Sequence, residues 1–525
     1  MVNGRLRATD ATLGNSSNGV TFDGDVVATL GNGQGRASIQ QTSEASIAYG
    51  ATRTFTINAG KEGTFYTWGG QTITVDGQVT GGGNLRKEDG GTLKLTNPSN
   101  NYGGLTRIAN GTLQLGASGV IPDTSVVEMA GGTLATNNQA ETVAGLFGTG
   151  GTVSGGNTLT VLTAASRNFA GSINDTTLRM AGTGTQTLSG TVDNGSGRAI
   201  VDSGTLVFAK SGTTTSRAVG QSNGAVALTV NGGTLLLAGE HGDQIYGDST
   251  VEMTGGLLDM NGRSESIRGL IGAGGVIRNN APSTTSTLTV GEIINAGTAD
   301  YSFGGAIQDG AGTTALAKTG IGTQTLTAAN TYTGPTTVAS GVLVLSGSGS
   351  ISNSSSIDVA SGATLKVSGV TDGPWTLGAS QTLNGNGLVD GNMAAAGRIA
   401  PGNSIGTLSV TGNLTISGTL DVEYDDSLSG SQIDLLNVSG TLDITAATVD
   451  FADISMGLVG LSAPAYVFAT YGSLNGSQFA TVTDLPDGYS IDYAYAGNNI
   501  ALVPEPTVAL LAGLGVLGLL RRRRA

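Results

Sequence analysis

The chain has 525 residues, among them 88 glycines and 10 prolines, with no cysteine, one histidine, 5% aromatic residues and 24 basic against 38 acidic side chains, a net charge of −14. That acidic balance disfavours nucleic acid and phosphate as partners, and the lack of cysteine removes disulfide staples and thiolate metal sites. Apolar residues recur at every second position and not at helical spacing, so the body is all-β; their regularity, with Gly plus Pro below the roughly 25–30% of low-complexity chains, argues against disorder.

From the start, Met1 to Asp10 carries no apolar run, so no secretory leader is visible and a longer native start is expected. Residues 1–69 read as degenerate coils. TFTINAG at Thr54 to Gly60, and QTITVDGQVTGGG just beyond them at Gln71 to Gly83, still show a strand followed by a glycine corner. Tyr66 and Trp68 read as a core or end-capping cluster, with a sugar-stacking site as the sharper alternative.

Residues 70–445 repeat. Val127 to Val153 aligns without gaps on Val251 to Ile277 with 13 of 27 positions identical at an offset of 124. Tyr102, Gly104, Thr106, Gly111, Leu113 and Leu115 fall on Tyr332, Gly334, Thr336, Gly341, Leu343 and Leu345 when Lys87 to Gly116 is laid over Lys318 to Ser346. Each unit is a few β-favouring residues cornered by Gly, Asn or Ser, and it cannot bury its own apolar face, so it must stack on a copy of itself. The expected fold is a right-handed parallel β-helix with coils of about 20 to 25 residues. Asn100, Asn101, Asn110, Asn231 and Asn330 permit left-handed corners and are explained by plain turn chemistry, with hydrogen-bonded ladders of identical side chains on successive coils as the sharper alternative.

From 446 to 503 aromatics concentrate at Tyr466, Phe468, Tyr471, Phe479, Tyr489, Tyr493 and Tyr495. This stretch reads as a C-terminal β cap over the open end of the solenoid, with an aromatic carbohydrate-binding face as the alternative. Residues 504–525 are an anchor-like tail: Pro504, Glu505 and Pro506, the apolar run Thr507 to Leu520, then Arg521, Arg522, Arg523 and Arg524. Fourteen residues make a helix of about 21 Å, a short transmembrane segment, and the four arginines place its end in the cytoplasm and the β body outside.

TGIGTQTLTAANTYTGPTTVASGVLVL and EDGGTLKLTNPSNNYGGLTRIANGTLQL resemble the autotransporter-associated β-strand repeat of bacterial surface proteins. The copy at Gly182 to Phe208 keeps GTGTQTLSG and SGTLVF but loses the NTYTG centre, and the first copy carries Asn97-Pro98-Ser99 where small or apolar residues are expected. The resemblance implies an exported right-handed parallel β-helix acting in adhesion or as a stalk. The three-part tail resembles a PEP-CTERM sorting signal, which implies an exosortase-type membrane processing enzyme as partner, cleavage near Pro504 to Pro506, and release to the cell surface or an extracellular polysaccharide matrix.

An enzyme is the competing class, because parallel β-helices also host polysaccharide lyases and hydrolases. Its candidates are thin. His241 with Glu240 and Asp243 reads as a solvated turn; Asp421, Glu423, Asp425 and Asp426 read as an acidic edge, with a weak calcium site as the sharper alternative; Asp390 lacks the order of a calcium-binding nonapeptide. No catalytic residue, metal ligand or cofactor is assigned.

Overall fold

The computed structural model describes residues 5–7, 20–22, 36–40, 47–212, 216–221, 224–240, 243–291, 299–371, 373–425, 433–454 and 465–505. All regular elements among them are β-strands, and they fall into two compact units, 1–282 and 283–525.

In the first unit the strands stack in parallel sheets. One sheet runs from Arg5–Arg7 through Arg36–Gln40, Glu62–Tyr66 and Asn84–Glu88 to Val276–Arg278; a second joins Ile47–Tyr49 to Ser172–Asn174, and a third joins Glu141–Val143 to Gly269–Ile271. Thr92, Thr112, Thr133 and Thr152 are consecutive partners, so a coil there takes 19 to 21 residues, the lower edge of what the repeats lead one to expect. The alternation of the sequence explains the core. Ile73, Leu93, Leu113, Leu134, Val153 and Ile173 form one inward column, each at most 2% exposed, while their neighbours face outward. One coil alone would leave these side chains wet, and stacking removes them from water at about 25 cal/mol per Å².

The second unit is built the same way. Ile357, Leu383, Ile399, Leu420, Val449 and Val482 are successive partners along one sheet, and the column ends in water, with Val482 38% exposed on the last strand. On the other sheet the order changes. Tyr466–Asn475 still pairs parallel with Leu435–Asp443, but its far side takes Asn499–Pro504 antiparallel, and Tyr489–Tyr495 then pairs antiparallel with Asn499–Pro504. Apart from two isolated bridges, these are the antiparallel contacts among the described residues.

The expected apolar helix at 507–520, with Pro506 and Arg521 to Arg524, lies outside the described residues. No helix among the described residues is long and apolar enough to cross a membrane.

Candidate functional site

Three polar devices recur inside the coils. Lys87 and Lys318 turn inward at the end of a strand, nearly without exposure, and spend their ammonium groups on carbonyls: Lys87 Nζ on Glu88 O (2.5 Å) and Asp89 O (2.6 Å), Lys318 Nζ on Thr319 O (2.6 Å), Gly320 O (3.0 Å) and Ser340 O of the next coil (3.2 Å). Burial lowers both lysines to about 8. Tyr102 and Tyr332 are fully buried and lie in matching places, as the alignment predicts. Each hydroxyl sits 2.7 Å from a threonine Oγ1, Thr106 or Thr336, which is 2.9 Å from a serine on the next coil, Ser125 or Ser354.

The third device is a buried asparagine that joins three coils. Asn100 accepts from Val79 N (2.8 Å) and donates to Val120 O (2.8 Å); Asn330 accepts from Ile307 N (2.9 Å) and donates to Ser350 O (3.1 Å). These residues are not left-handed corners, nor are Asn101, Asn110 and Asn231; among the described residues the asparagines with positive φ are Asn137, Asn138, Asn157 and Asn261. Neither plain turn chemistry nor a ladder of identical side chains describes Asn100 and Asn330, which are single amides clasping unlike neighbours. In the copy that lost its NTYTG centre, Asn194 makes the same bridge, accepting from Ile173 N (3.0 Å) and donating to Ala218 O (2.8 Å), while Met180 replaces the lysine.

At the C-terminal end the aromatics pack on each other. Phe451 meets Phe468 edge-on at 5.3 Å, Phe468 stacks on Phe479 at 6.3 Å, and Phe479 meets Tyr493 at 5.8 Å, with Phe468 and Phe479 buried. Phe451, Phe468 and Phe479 are spent on burial, while Tyr471, Tyr493 and Tyr495 are half-buried. Pro504 closes the strand Asn499–Pro504 opposite Tyr489, and the Glu505 N–H donates to Gly488 O at 2.9 Å. Two of the three residues of the Pro504-Glu505-Pro506 motif are thus at the margin of the folded sheet; the third is outside the described residues.

Among the described residues the acidic candidates Glu240, Asp243, Asp421 and Asp390 are exposed, paired or held by hydrogen bonds. Glu240 is exposed; Asp243 pairs with Arg217 at 3.3 Å and is raised by burial; His241 lies outside the described residues. Asp421 and Glu423 do share the outward face of Thr419–Tyr424, but Asp425 follows the strand's end and Asp426 is not described. Arg398 pairs with Asp421, whose carboxyl burial pushes up to about 6. Asp390 accepts from Thr411 Oγ1 (2.8 Å) and lies 3.5 Å from Lys366 Nζ. Among the described residues no three His, Asp or Glu side chains gather as metal ligands. Trp68 is 42% exposed, which overturns the core reading for it, and Tyr66 is half-buried on the strand before it.

Further groups escaped the sequence reading, among them Lys210, fully buried with Nζ on Gly171 O at 2.8 Å. Glu141 and Glu265 are buried carboxyls, raised by burial, Glu141 to about 7. Asp434 is buried too, accepting from Gly406 N and Glu423 N at 2.9 Å each, and burial raises it to about 7. The fixed glutamate within the 124-residue repeat was the available signal for Glu141 and Glu265.

Residues 85–115 and 316–345 match the Passenger-associated-transport-repeat family, and these are the coils that hold Lys87 with Tyr102 and Lys318 with Tyr332. The chain is also similar to the adhesin BmaC autotransporter of Brucella suis biovar 1 (strain 1330), 32% identical over 293 residues. That alignment takes in 52% of this chain and 8% of the adhesin, so the chain spans a small part of that relative's length.

Proposed function

We propose that the chain is an exported bacterial surface protein whose stacked β-coils present an adhesive or structural face outside the cell. The observation that carries this reading is the pair of passenger-type repeats with one internal design, Tyr102 to Thr106 to Ser125 and Tyr332 to Thr336 to Ser354. Similarity to an autotransporter adhesin supports the same direction. The titratable groups inside the coils hold backbone in place instead of facing a common groove, which supports a non-enzymatic role.

The finer reading concerns the tail. Pro504-Glu505-Pro506 is the recognition motif of an exosortase-type membrane enzyme, the run from Thr507 to Leu520 sits transiently in the inner membrane, and Arg521 to Arg524 hold its end in the cytoplasm. Cleavage there frees the β body to the cell surface, where extracellular polysaccharide is the partner. The margin position of Pro504 supports this order of events, because a cut after Glu505 leaves the last strand in its sheet.

Two epitopes test the reading in the native host, one in the turn at Gly497 and one after Arg524. Separation of the two, with the first outside the cell, is expected. Their co-migration in the membrane replaces processing by simple anchoring, and retention of both in the cytoplasm removes export altogether.

A further inference from the structure

On the first unit, turns from neighbouring coils enclose a cleft of about 280 Å³ lined by Asn157, Asp175, Thr176, Thr177, Ser196, Arg198 and Gln221. The coil geometry explains its shape. Asn157 and Asp175 adopt left-handed corners, φ 58° and 54°, and Thr158, Thr177 and Arg198 are successive partners on the strands that leave those corners. Asp175 and Arg198 are exposed, carry opposite charges, and make no ion pair among the described residues.

The lining is prepared, not incidental. Gln221 donates through Nε2 to Ser196 O at 2.7 Å and accepts from Arg198 Nη2 at 3.2 Å, so the guanidinium is held on one wall. Ser196 Oγ accepts from Asp175 N at 3.0 Å and keeps its own proton for another acceptor. Between them is Thr176, 1% exposed, whose hydroxyl has no hydrogen-bond partner. That hydroxyl has no surface open to the cleft, so the side chains a ligand meets are those of Asp175, Ser196, Arg198 and Gln221.

The chemistry of the walls selects the ligand. A cation would face Arg198, an anion would face Asp175, and an apolar molecule would strand every polar group in the cleft. An uncharged polyol satisfies both walls, because each hydroxyl donates to a carboxylate and accepts from a guanidinium at once. The volume lies at the small end of ligand sites, whose usual floor is about 300 Å³. We propose that the cleft between Asp175 and Arg198 is a carbohydrate-binding site that takes a neutral sugar residue, held by Asp175, Arg198 and the free hydroxyl proton of Ser196. It deepens the surface-protein reading by giving the polysaccharide partner a place to bind, and it rests on that reading only for the source of the sugar.

Purified full-length chain, titrated with maltose, cellobiose and N,N′-diacetylchitobiose by calorimetry and ligand-observed NMR, tests the site. Glycine serves as the zwitterion control and inorganic phosphate as the anion control. Binding of at least one disaccharide in the millimolar range is expected. Asp175→Ala and Arg198→Ala should each weaken it about tenfold, and Arg179→Ala, on the neighbouring exposed pair with Asp202, should leave it unchanged. Circular dichroism confirms that the variants are folded. Absence of binding by all three disaccharides up to about 50 mM, equal binding by the Asp175 and Arg198 variants, or tighter binding of glycine or phosphate overturns the assignment. Export failure with sugar binding intact removes the surface reading alone; export with no sugar binding removes the site alone.

Discussion

Glu141 and Glu265, 124 positions apart, accept hydrogen bonds from matching backbone amides. Glu141 takes Val120 N (3.0 Å), Ile121 N (3.3 Å) and Thr142 N (3.2 Å); Glu265 takes Gln244 N (3.1 Å), Ile245 N (3.4 Å) and Ser266 N (3.3 Å). In both copies a carboxyl with no cation beside it among the described residues ties one coil to the next. Those N–H groups favour the ionised form, but burial outweighs them and holds both side chains above the usual glutamate range.

The sign of the pH effect follows. Because the folded carboxyl keeps its proton to a higher pH than the unfolded one, the folded state loses stability as pH rises from about 4.5 to about 7, and the loss is complete above that window. For Glu141 it is on the order of 3 kcal/mol. Urea midpoints measured at pH 5 and pH 8 should show the chain firmer at pH 5, and Glu141→Gln should reduce the difference by its share, with Glu265 and Asp434 carrying part of the rest. An unchanged slope in that variant would mean that Glu141 does not carry the effect. A neutral amide already serves in the second unit, where Gln381 accepts from Gly378 N (2.8 Å) and donates to Ile351 O (3.0 Å) and Ser354 O (2.7 Å).

At the Lys318 corner, glycine is stricter than lysine. Gly341 has φ +66°, and an added Cβ would lie 2.4 Å from Gly320 O and 2.6 Å from Gly322 O, both immovable backbone. Gly341→Ala should cost about 3 kcal/mol or more. Lys318→Met should cost about 1 kcal/mol, since the lost carbonyl bonds are offset by removing a buried ammonium, and the coil with Met180 beside Gly204 is a natural precedent. Equilibrium unfolding of the two variants ranks them; the reverse order would refute the argument.

The hydroxyl chain from Tyr332 through Thr336 to Ser354 ends on Gly334 O at 2.9 Å. Thr336→Val removes the middle member and leaves two buried hydroxyls each short of a partner, at about 2 kcal/mol; Tyr332→Phe, which removes a terminal member, should cost about 1 kcal/mol. The double variant should be less destabilised than the sum of the singles. Strict additivity in unfolding free energy would show that the three groups are not coupled.

The fold was legible because period-two alternation and glycine corners state the same thing in every coil, as the column from Ile73 to Ile173 shows. Tyr102 and Tyr332 were legible because one residue type recurs in one context. Asn100, Asn194 and Asn330 were not, since asparagine suits both an exposed corner and a buried bridge needing a donor and an acceptor together, and spacing alone does not separate the two uses. Glu141 hid for another reason: a charged residue is ordinarily read as surface, and its burial depends on amides of a preceding coil. The Asp175–Arg198 cleft draws residues from several turns, so no local motif marks it.

Asn499–Pro504 covers the free edge of Tyr466–Asn475, and Ile500 and Leu502 are buried against the interior that also holds Phe468. Without that strand, Tyr466–Asn475 would present unpaired N–H and C=O groups beside newly exposed apolar side chains, a template for pairing with a second copy. A chain ending at Glu505 should remain monomeric, whereas one ending at Gly497 should self-associate with rising concentration. Light scattering after size-exclusion chromatography distinguishes them. A folded, monomeric Gly497 truncation would show that the antiparallel strands do not protect this edge.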